Sequence, residues 1–327
     1  MLFVDSSPHT DPRINLAVEE HLLRNIQVQE PILLFYVNEP SVIIGRNQNT
    51  LEEIDPDYVK AKGIHVVRRL SGGGAVYHDL GNLNFSFITQ GSEDLHNFAK
   101  FTEPVIKVLG ELGVGAELRG RSDIFATGRK ISGNAQYVTA NRMFSHGTLL
   151  FDTDLEEMLK ALNPRQIEIE SRAVQSIRNY VANIRDLALK DMDLQGLKAA
   201  LLKGIFGSGD FPSYELNDEE WAAIHQLSAK RYQQWDWNYG HSPRFNIQKS
   251  DQTPAGKIDV GIDVDKGRIR AIKFFGDFSG RLPVSGLEEL LLGIRYNGDE
   301  ITATLEAVDV GDYFDQLDRN TLSSLLY

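Results

Sequence analysis

Three consecutive glycines, Gly72–Gly74, are the feature that most restricts how this chain folds. They lie between the segments "GIHVVRRL" and "LNFSFIT", and both segments have the composition and alternation of β-strands. Because glycine lacks a Cβ, such a run lets another group lie against the main chain. We therefore expect a loop of bare backbone between two strands, with Arg68 and Arg69 at its entrance.

Two familiar glycine motifs do not fit this loop. A dinucleotide-binding fingerprint that begins at Gly72 requires glycine where the chain has Tyr77, and an NTPase phosphate loop requires Gly-Lys-Ser/Thr where it has "VYH". Exposed N–H groups beside a guanidinium nevertheless suit an anion. If strand alternation holds, only one of the two arginines faces the loop. A tight bend packed on a neighbouring strand is the alternative explanation for one or two of the glycines.

A second cationic segment, "GRKISGN", lies further along the chain. If it forms a strand, Lys130 and Arg129 lie on opposite faces, and Gly128 and Gly133 leave that strand thin and approachable. Lys130 is therefore a candidate for an inward-facing cation, although a lone lysine is ordinarily solvated. Asp123 is a candidate partner for this lysine or a candidate ligand for a divalent cation.

The composition argues against several classes of protein. The formal net charge of −12 disfavours non-specific binding to nucleic acid or to anionic membranes. The apolar runs are too short to span a bilayer, and the first residues lack the pattern of a signal peptide, so we expect a soluble, cytoplasmic protein. The chain has no cysteine, which removes disulfides, thiolate metal sites and a cysteine nucleophile.

Strand and helix patterns alternate along the chain, which predicts an α+β (mixed α/β) fold. A helix is expected over about 10–24, with Glu19 and Glu20 as solvated charges. A capping box formed by Thr153 and Glu156 predicts the helix "DLEEMLKAL".

The composition changes between about 232 and 256, where turn-forming residues dominate. The segment after it reads as a hairpin followed by helices, which is typical of a small α+β domain on a linker. We therefore expect a large domain at residues 1–244 and a small C-terminal accessory domain at residues 245–327.

Six motifs follow one another in the order "NLAVEE", "IIGRNQN", "RRLSGGGAVYHDLGN", "GRKISGN", "HGTLL" and "WDWNYG". With this set, the chain closely resembles the lipoate-protein ligase A family, which shares its catalytic architecture with biotin protein ligases. The resemblance covers nearly the whole chain, including the small C-terminal domain. It implies central mixed sheets flanked by helices, with lipoate and ATP bound by the large domain.

The resemblance also implies a two-step reaction. Lipoate and ATP give the acyl-adenylate lipoyl-AMP and pyrophosphate, and the adenylate then acylates one lysine of an acceptor protein. The implied acceptors are the glycine-cleavage H protein and the E2 subunits of 2-oxoacid dehydrogenases, the implied co-substrates are ATP and Mg²⁺, and a monomer is expected. A carboxylate that attacks a phosphate brings two anions together, so cations and main-chain donors must offset the repulsion.

Matching the family's motifs residue by residue gives the candidate site. The implied catalytic residue is Lys130, which contacts both the lipoyl carboxyl oxygen and the phosphate. The implied nucleotide contacts are Arg69, Gly74, Ala75, Val76, Tyr77 and Lys130. The residues expected to border the acyl chain are Ser71, Gly72, Gly73, His78, His146 and Lys130. Asp123 is the candidate magnesium ligand or lysine partner, and the base for the acceptor lysine stays open among His146, His78 and the adenylate phosphate.

Two other functions stay open from the sequence. One is an ATP-independent transferase that moves lipoyl or octanoyl groups between carrier proteins, and the other is a non-catalytic module that binds lipoate or lipoyl domains. Octanoyltransferases of the same broad fold use a cysteine, which this chain lacks. The C-terminal domain and the retained Lys130 favour the ATP-dependent ligase.

Overall fold

The computed structural model describes residues 1–48, 50–162, 180–189, 191–207, 209–240, 247–265 and 267–327. The chain divides into two compact units. The first comprises Met1–Ile43, Ile54–Val67 and Val76–Gln234, and the second comprises Ile44–Glu53, Arg68–Ala75 and Trp235–Tyr327. Two short segments from the amino-terminal part of the chain therefore belong to the second unit. The predicted domain boundary at 244/245 lies outside the described residues.

The described strands are β1 (Leu2–Asp5), β2 (Ile32–Tyr36), β3 (Ser41–Ile44), β4 (His65–Arg68), β5 (Val76–His78), β6 (Asn82–Gln90), β7 (Ala116–Arg119), β8 (Asp123–Ala126), β9 (Arg129–Ser132), β10 (Asn134–Val138), β11 (Arg142–Leu150), β12 (Ile247–Thr253), β13 (Gly256–Asp265) and β14 (Arg268–Gly276). The described helices are α1 (Pro12–Arg24), α2 (Thr50–Glu53), α3 (Pro56–Lys62), α4 (Phe98–Glu111), α5 (Leu155–Ala161), α6 (Leu194–Phe206), α7 (Asp218–Leu227), α8 (Trp235–Asn238), α9 (Ser285–Leu291), α10 (Gly298–Glu306) and α11 (Arg319–Leu326). A π-helical turn spans Ser228–Tyr232, and a 3-10 turn spans Val310–Asp312.

A five-stranded mixed sheet with the order β1-β2-β6-β11-β10 forms the centre of the first unit. β1 and β2 are parallel, and the other neighbours are antiparallel. Phe85 and Phe87 of β6 belong to a buried core that also contains Phe101 of α4 and Leu201 of α6. The apolar side chains that alternate along "LNFSFIT" thus anchor the sheet against these helices, as the pattern predicts.

Helix α1 begins where the sequence predicts, because Asp11 caps it and Pro12 occupies its first turn. The expectation that Glu19 and Glu20 are solvated is wrong, since they are only 3% and 1% exposed. Both carboxylates have hydrogen-bond partners on other elements, His146 for Glu19 and Tyr232 for Glu20. Helical periodicity does not show such partners, because they are distant in sequence.

Helix α5 is confirmed, but its cap differs from the prediction by one residue. The side chain of Asp154 accepts from the backbone N–H groups of Glu156 and Glu157. The N–H of Thr153 instead donates to Asn183, and the carbonyl of Thr153 accepts from the same amide side chain. A carboxylate at a helix N-terminus also interacts favourably with the helix dipole, which explains why Asp154 takes this position.

The carboxyl-terminal part of the second unit is a three-stranded antiparallel sheet, β12-β13-β14, with α9, α10 and α11. Its core is separate from that of the first unit and combines strand residues such as Ile262 and Phe274 with Leu287 and Leu322 of the helices. The predicted hairpin is confirmed as β13 and β14. The fold class is α+β, as predicted. No helix in the described parts of the chain is long and apolar enough to cross a membrane.

Candidate active site

The glycine loop, Arg69–Ala75, connects β4 to β5 and is folded around the side chain of Arg69. The guanidinium of Arg69 donates to Ser71 Oγ at 3.0 Å and to the carbonyls of Gly72 and Gly74 at 2.6 and 2.8 Å. The side chain of Arg68 is directed instead to other carbonyls of the second unit. The prediction that only one of the two arginines faces the loop is therefore confirmed.

The three glycines of this loop have different surroundings. A Cβ on Gly72 would lie 2.5 Å from the carbonyl oxygen of Phe278, and Gly73 has a positive φ of 89°. Close packing and left-handed backbone therefore explain these two positions, as the alternative of a tight bend predicts. At Gly74, apart from the glycine itself and its two chain neighbours, none of the described residues has an atom within 4 Å of the position of a Cβ. Neither packing nor backbone conformation requires glycine there, so Gly74 is the position where the approach of a ligand best explains the bare backbone.

Three residues of the motif "IIGRNQN", Ile44, Gly45 and Arg46, contact the glycine loop within the second unit. A Cβ on Gly45 would lie 1.9 Å from the carbonyl oxygen of Gly73. The N–H of Arg46 donates to the carbonyl of Ser71, and the N–H of Arg69 donates to that of Ile44, each at 2.9 Å. The two segments are thus joined backbone to backbone. Sequence reasoning found this motif only through the family resemblance.

In the first unit, Lys130 lies on β9 of a β8–β9 hairpin. The turn of this hairpin, Thr127–Gly128, has two positive φ values of 51° and 78°, which is typical of a tight type I′ turn. Lys130 Nζ lies 2.7 Å from Asp123 Oδ2, and the two side chains are 26% and 29% exposed. A Cβ on Gly133 would lie 3.3 Å from Lys130 Cε, so the lysine stem rests against this glycine. The amine is thus held in place and still accessible.

Asp123 has one of its two predicted roles in this structure, that of partner to Lys130. The part of the chain that the structure describes contains no group of three or more His, Asp or Glu side chains placed to hold a metal ion. A magnesium role for Asp123 stays a prediction, because Mg²⁺ is commonly bound through one or two carboxylates together with substrate phosphates.

Val76, Tyr77 and His78 form β5, which pairs with β3. Burial raises the pKa of the Tyr77 hydroxyl, so this group stays protonated at neutral pH. His78 is buried, and its Nδ1 accepts a hydrogen bond of 2.9 Å from Asn38 Nδ2. Because Asn38 is the donor, the neutral imidazole carries its proton on Nε2.

His146 of β11 is buried beside Glu19 of α1. Its Nδ1 lies 2.9 and 3.1 Å from the two carboxylate oxygens, and its ring packs against Phe144 with centroids 4.6 Å apart. A carboxylate accepts, so Nδ1 carries the proton and Nε2 is the acceptor nitrogen of the neutral ring. A carboxylate that orients an imidazole in this way is a recurring feature of histidine general bases.

Glu20 forms a second buried cluster. Its carboxylate accepts from Tyr232 Oη at 2.8 Å and from Arg24 at 2.7 Å, and Arg231 also contacts it. Neither Glu19 nor Glu20 was predicted as a functional residue. The adjacent acidic pair in "NLAVEE", on the otherwise apolar face of a helix, is the signal that points to them.

Comparison with known proteins places the chain in a family. The family model described as "Lipoyl protein ligase A/B catalytic domain" matches residues 11–206, so the chain belongs to this family. A second model, "Bacterial lipoate protein ligase C-terminus", matches residues 242–326. The chain is 51% identical over 331 aligned positions to lipoate-protein ligase LplJ of Bacillus subtilis (strain 168), and the alignment covers 100% of both chains.

Solved structures agree with this assignment. P. falciparum LipL1 in complex with lipoate matches with a TM-score of 0.81 over 99% of this chain and 97% of that chain, and at 24% identity this shows the fold alone. An archaeal bipartite lipoate-protein ligase with its E2 lipoyl domain, from Thermoplasma acidophilum, matches with a TM-score of 0.66 and 31% identity, covering 75% and 98% of the two chains. A lipoate-protein ligase A bound with ATP matches with a TM-score of 0.61 and 34% identity, covering 73% and 97%.

Proposed function

We propose that the protein is an ATP-dependent lipoate-protein ligase that works through lipoyl-AMP. Its membership of the ligase family and its full-length similarity to a curated lipoate-protein ligase support the activity. Similar proteins bound to ATP or accompanied by a lipoyl domain support the choice of substrates. The observation that carries the mechanism is the amine of Lys130, which is held by Asp123 and Gly133 but remains partly exposed.

In the first step, a carboxylate oxygen of lipoate attacks the α-phosphorus of ATP. The bond from that phosphorus to the bridging oxygen breaks, and pyrophosphate leaves. Lys130 offsets the negative charge shared by the carboxylate and the phosphate, and its pairing with Asp123 orients it beforehand. Main-chain N–H groups at Gly74–Tyr77 and the charge of Arg69 are proposed to bind the phosphates.

In the second step, the amine of the acceptor lysine attacks the carbonyl carbon of lipoyl-AMP. The bond from this carbon to the phosphate oxygen breaks, AMP leaves, and the amine loses a proton. The tautomers favour His146 over His78 as the base, because Nε2 of His146 is the acceptor nitrogen of its ring whereas Nε2 of His78 carries a proton. His78, Ser71, Gly72 and Gly73 are proposed to border the acyl chain.

Magnesium is proposed to enter as MgATP, with Asp123 as a candidate ligand, because Mg²⁺ is commonly held by one or two carboxylates together with substrate phosphates. The proposed acceptors are lipoyl domains of E2 subunits and the glycine-cleavage H protein. The enzyme is proposed to act as a monomer in the cytoplasm.

The test is exchange of labelled pyrophosphate into ATP with and without lipoate. Wild-type protein is expected to show lipoate-dependent exchange, and Lys130→Ala is expected to lose it by roughly 10²-fold to 10³-fold. Absence of exchange in the wild type, together with lipoyl transfer from a lipoylated donor to an acceptor domain without nucleotide, would show the ATP-independent transferase instead. Binding of lipoate without either reaction would show a non-catalytic module.

A further inference from the structure

Arg68 is a buried cation, and the proposed mechanism gives it no role. It is 1% exposed, and burial together with the neighbouring charge of Arg69 lowers the pKa of Arg68 to about 10. The guanidinium therefore remains charged at neutral pH. Within the described ranges it forms no hydrogen bond to a carboxylate, and its partners are carbonyl oxygens and one hydroxyl.

Most of these partners belong to a turn segment made up of Gly45–Gln48 and Thr50. Nη1 of Arg68 donates to the carbonyls of Gly45 at 2.8 Å, Arg46 at 3.1 Å and Gln48 at 2.7 Å. Nη2 donates to Thr50 Oγ1 at 2.7 Å. A single planar group thus gathers the inward-facing oxygens of the turn, and a lysine amine, with one donor atom, cannot reproduce this set.

The other partners belong to Trp237 and Asn238, in the motif "WDWNYG". Nε of Arg68 donates to the carbonyl of Trp237 at 3.0 Å, and the indole N–H of Trp237 donates to the carbonyl of Arg68 at 2.8 Å. The backbone N–H of Arg68 donates to Asn238 Oδ1 at 2.9 Å. Arg68 therefore joins three of the sequence motifs within the second unit.

We propose that Arg68 is a positioning residue for the glycine loop. Its guanidinium fixes the turn segment, and the turn segment fixes the loop through the Arg46–Ser71 backbone bond and the close contact of Gly45 with Gly73. Arg69 then orders the loop from within. The expected effect of Arg68 on ATP binding rests on the proposed function. The shape of the loop can be tested without ATP.

The first test measures deuterium exchange of the peptide that covers Ser71–Tyr77 in ligand-free protein. Arg68→Lys is expected to speed exchange at these amides about 10-fold, because the turn loses most of its donors while the charge is kept. Leu287→Ala is the control, since Leu287 is buried in the core formed by β12–β14 and α9–α11 and does not belong to the turn. It is expected to lower thermal stability and to leave exchange of this peptide unchanged.

The second test measures the KM for ATP and kcat in pyrophosphate exchange. Arg68→Lys is expected to lower kcat/KM for ATP about 10²-fold, the effect typical of a misplaced binding group. If Arg68→Lys does not fold, Thr50→Val and Thr50→Ser replace it. Valine removes the hydroxyl acceptor of Nη2, leaving Nη2 the carbonyl of Asn238 at 3.3 Å, and is expected to speed deuterium exchange of the loop and raise the KM. Serine keeps the hydroxyl and is expected to behave as wild type.

Three outcomes separate the possibilities. If the loop amides of Arg68→Lys exchange deuterium at the wild-type rate, the proposal is overturned. The same holds for Thr50→Val where the threonine pair replaces Arg68→Lys. The proposal is also overturned if Arg68→Lys loses no more kcat/KM for ATP than Leu287→Ala does at equal thermal stability, because the role of Arg68 would then be structural only. If wild-type protein shows no lipoate-dependent pyrophosphate exchange, the proposed function fails. Deuterium exchange of the loop amides still decides whether Arg68 positions the glycine loop.

Discussion

The glycine loop and the "GRKISGN" strand place glycine beside a cation in sequence, but they use the cation in opposite ways. Arg68 and Arg69 are buried, and their guanidinium groups are directed to carbonyl oxygens and hydroxyl groups of the chain. Lys130 is partly exposed and has one carboxylate partner. The difference shows that a guanidinium beside a glycine run can support the loop backbone, whereas the amine of Lys130 stays accessible. Burial and the type of acceptor distinguish the two arrangements.

The same contrast exists among the glycines. Gly45 and Gly72 make room for neighbouring carbonyl groups, whereas Gly74 faces open space. A glycine-rich motif thus combines positions required by packing with a position at which a ligand is the better explanation.

The sharpest test of the comparison is Lys130→Ala, which should lose activity without losing stability. Pyrophosphate exchange is expected to fall roughly 10²-fold to 10³-fold. The free energy of unfolding, measured in urea, should change by less than about 1 kcal/mol, because the ion pair is partly exposed. Arg129→Ala, on the same strand, serves as control and should retain activity within about 2-fold, since neighbouring side chains of a strand lie on opposite faces. Unfolding of Lys130→Ala at a much lower urea concentration would place Lys130 with the structural cations.

Arg69→Met should show the reverse order of effects. The carbonyls of Gly72 and Gly74 lose their charged donor, and a hydrogen bond to a charged group contributes about 1.5–3 kcal/mol. We therefore expect a loss of about 2–4 kcal/mol in the free energy of unfolding, measured by urea denaturation with an unchanged m-value. A smaller loss than that of Lys130→Ala would contradict the contrast between the two segments.

A matched pair of glycine substitutions distinguishes a glycine required by packing from a glycine proposed to contact the ligand. Gly45→Ala is expected to cost about 1–3 kcal/mol of stability, because its Cβ would collide with the carbonyl of Gly73. Gly74→Ala has room for its methyl group and should change stability by less than about 1 kcal/mol. It should instead raise the KM for ATP. If Gly74→Ala leaves that KM unchanged, the proposed nucleotide contact at this position is wrong.

The smallest effect concerns a buried histidine that lacks the acceptors of Arg68. His21 on α1 is buried, and within the described residues its Nε2 has no hydrogen-bond partner. Burial lowers the pKa of His21, and the charge of Glu220 opposes this shift only in part. The folded state therefore binds fewer protons than the unfolded state, so stability should be constant above pH about 6.5 and decrease as the pH falls below it.

Thermal unfolding at several pH values, compared between wild type and His21→Gln, checks this expectation. The variant should show a flatter decrease between pH 7 and pH 5. An identical slope in both proteins would assign the pH dependence to other groups.

Much of the secondary structure was predictable, because strands and helices repeat over two and about 3.6 residues and leave a local pattern. The α1 helix, the β13–β14 hairpin and the single loop-facing arginine all follow from such local rules. The burial of Glu19 and Glu20 and the cap at Asp154 do not. His146 and Tyr232 pair with the two carboxylates, and Asn183 pairs with Thr153, the residue predicted as the cap. These three partners are brought close only by the packing of distant elements.

By itself, the sequence determined the class of fold, the family and the identity of Lys130 as a candidate for chemistry, since these depend on residue order and local periodicity. The tertiary structure decided what each cation contacts. Arg68 and its partner Asn238 are 170 residues apart, and a hydrogen bond of 2.9 Å between them exists only because the folded backbone brings the two segments together. Hydrogen bonds act over about 3 Å, so their partners depend on the fold rather than on neighbourhood in the chain.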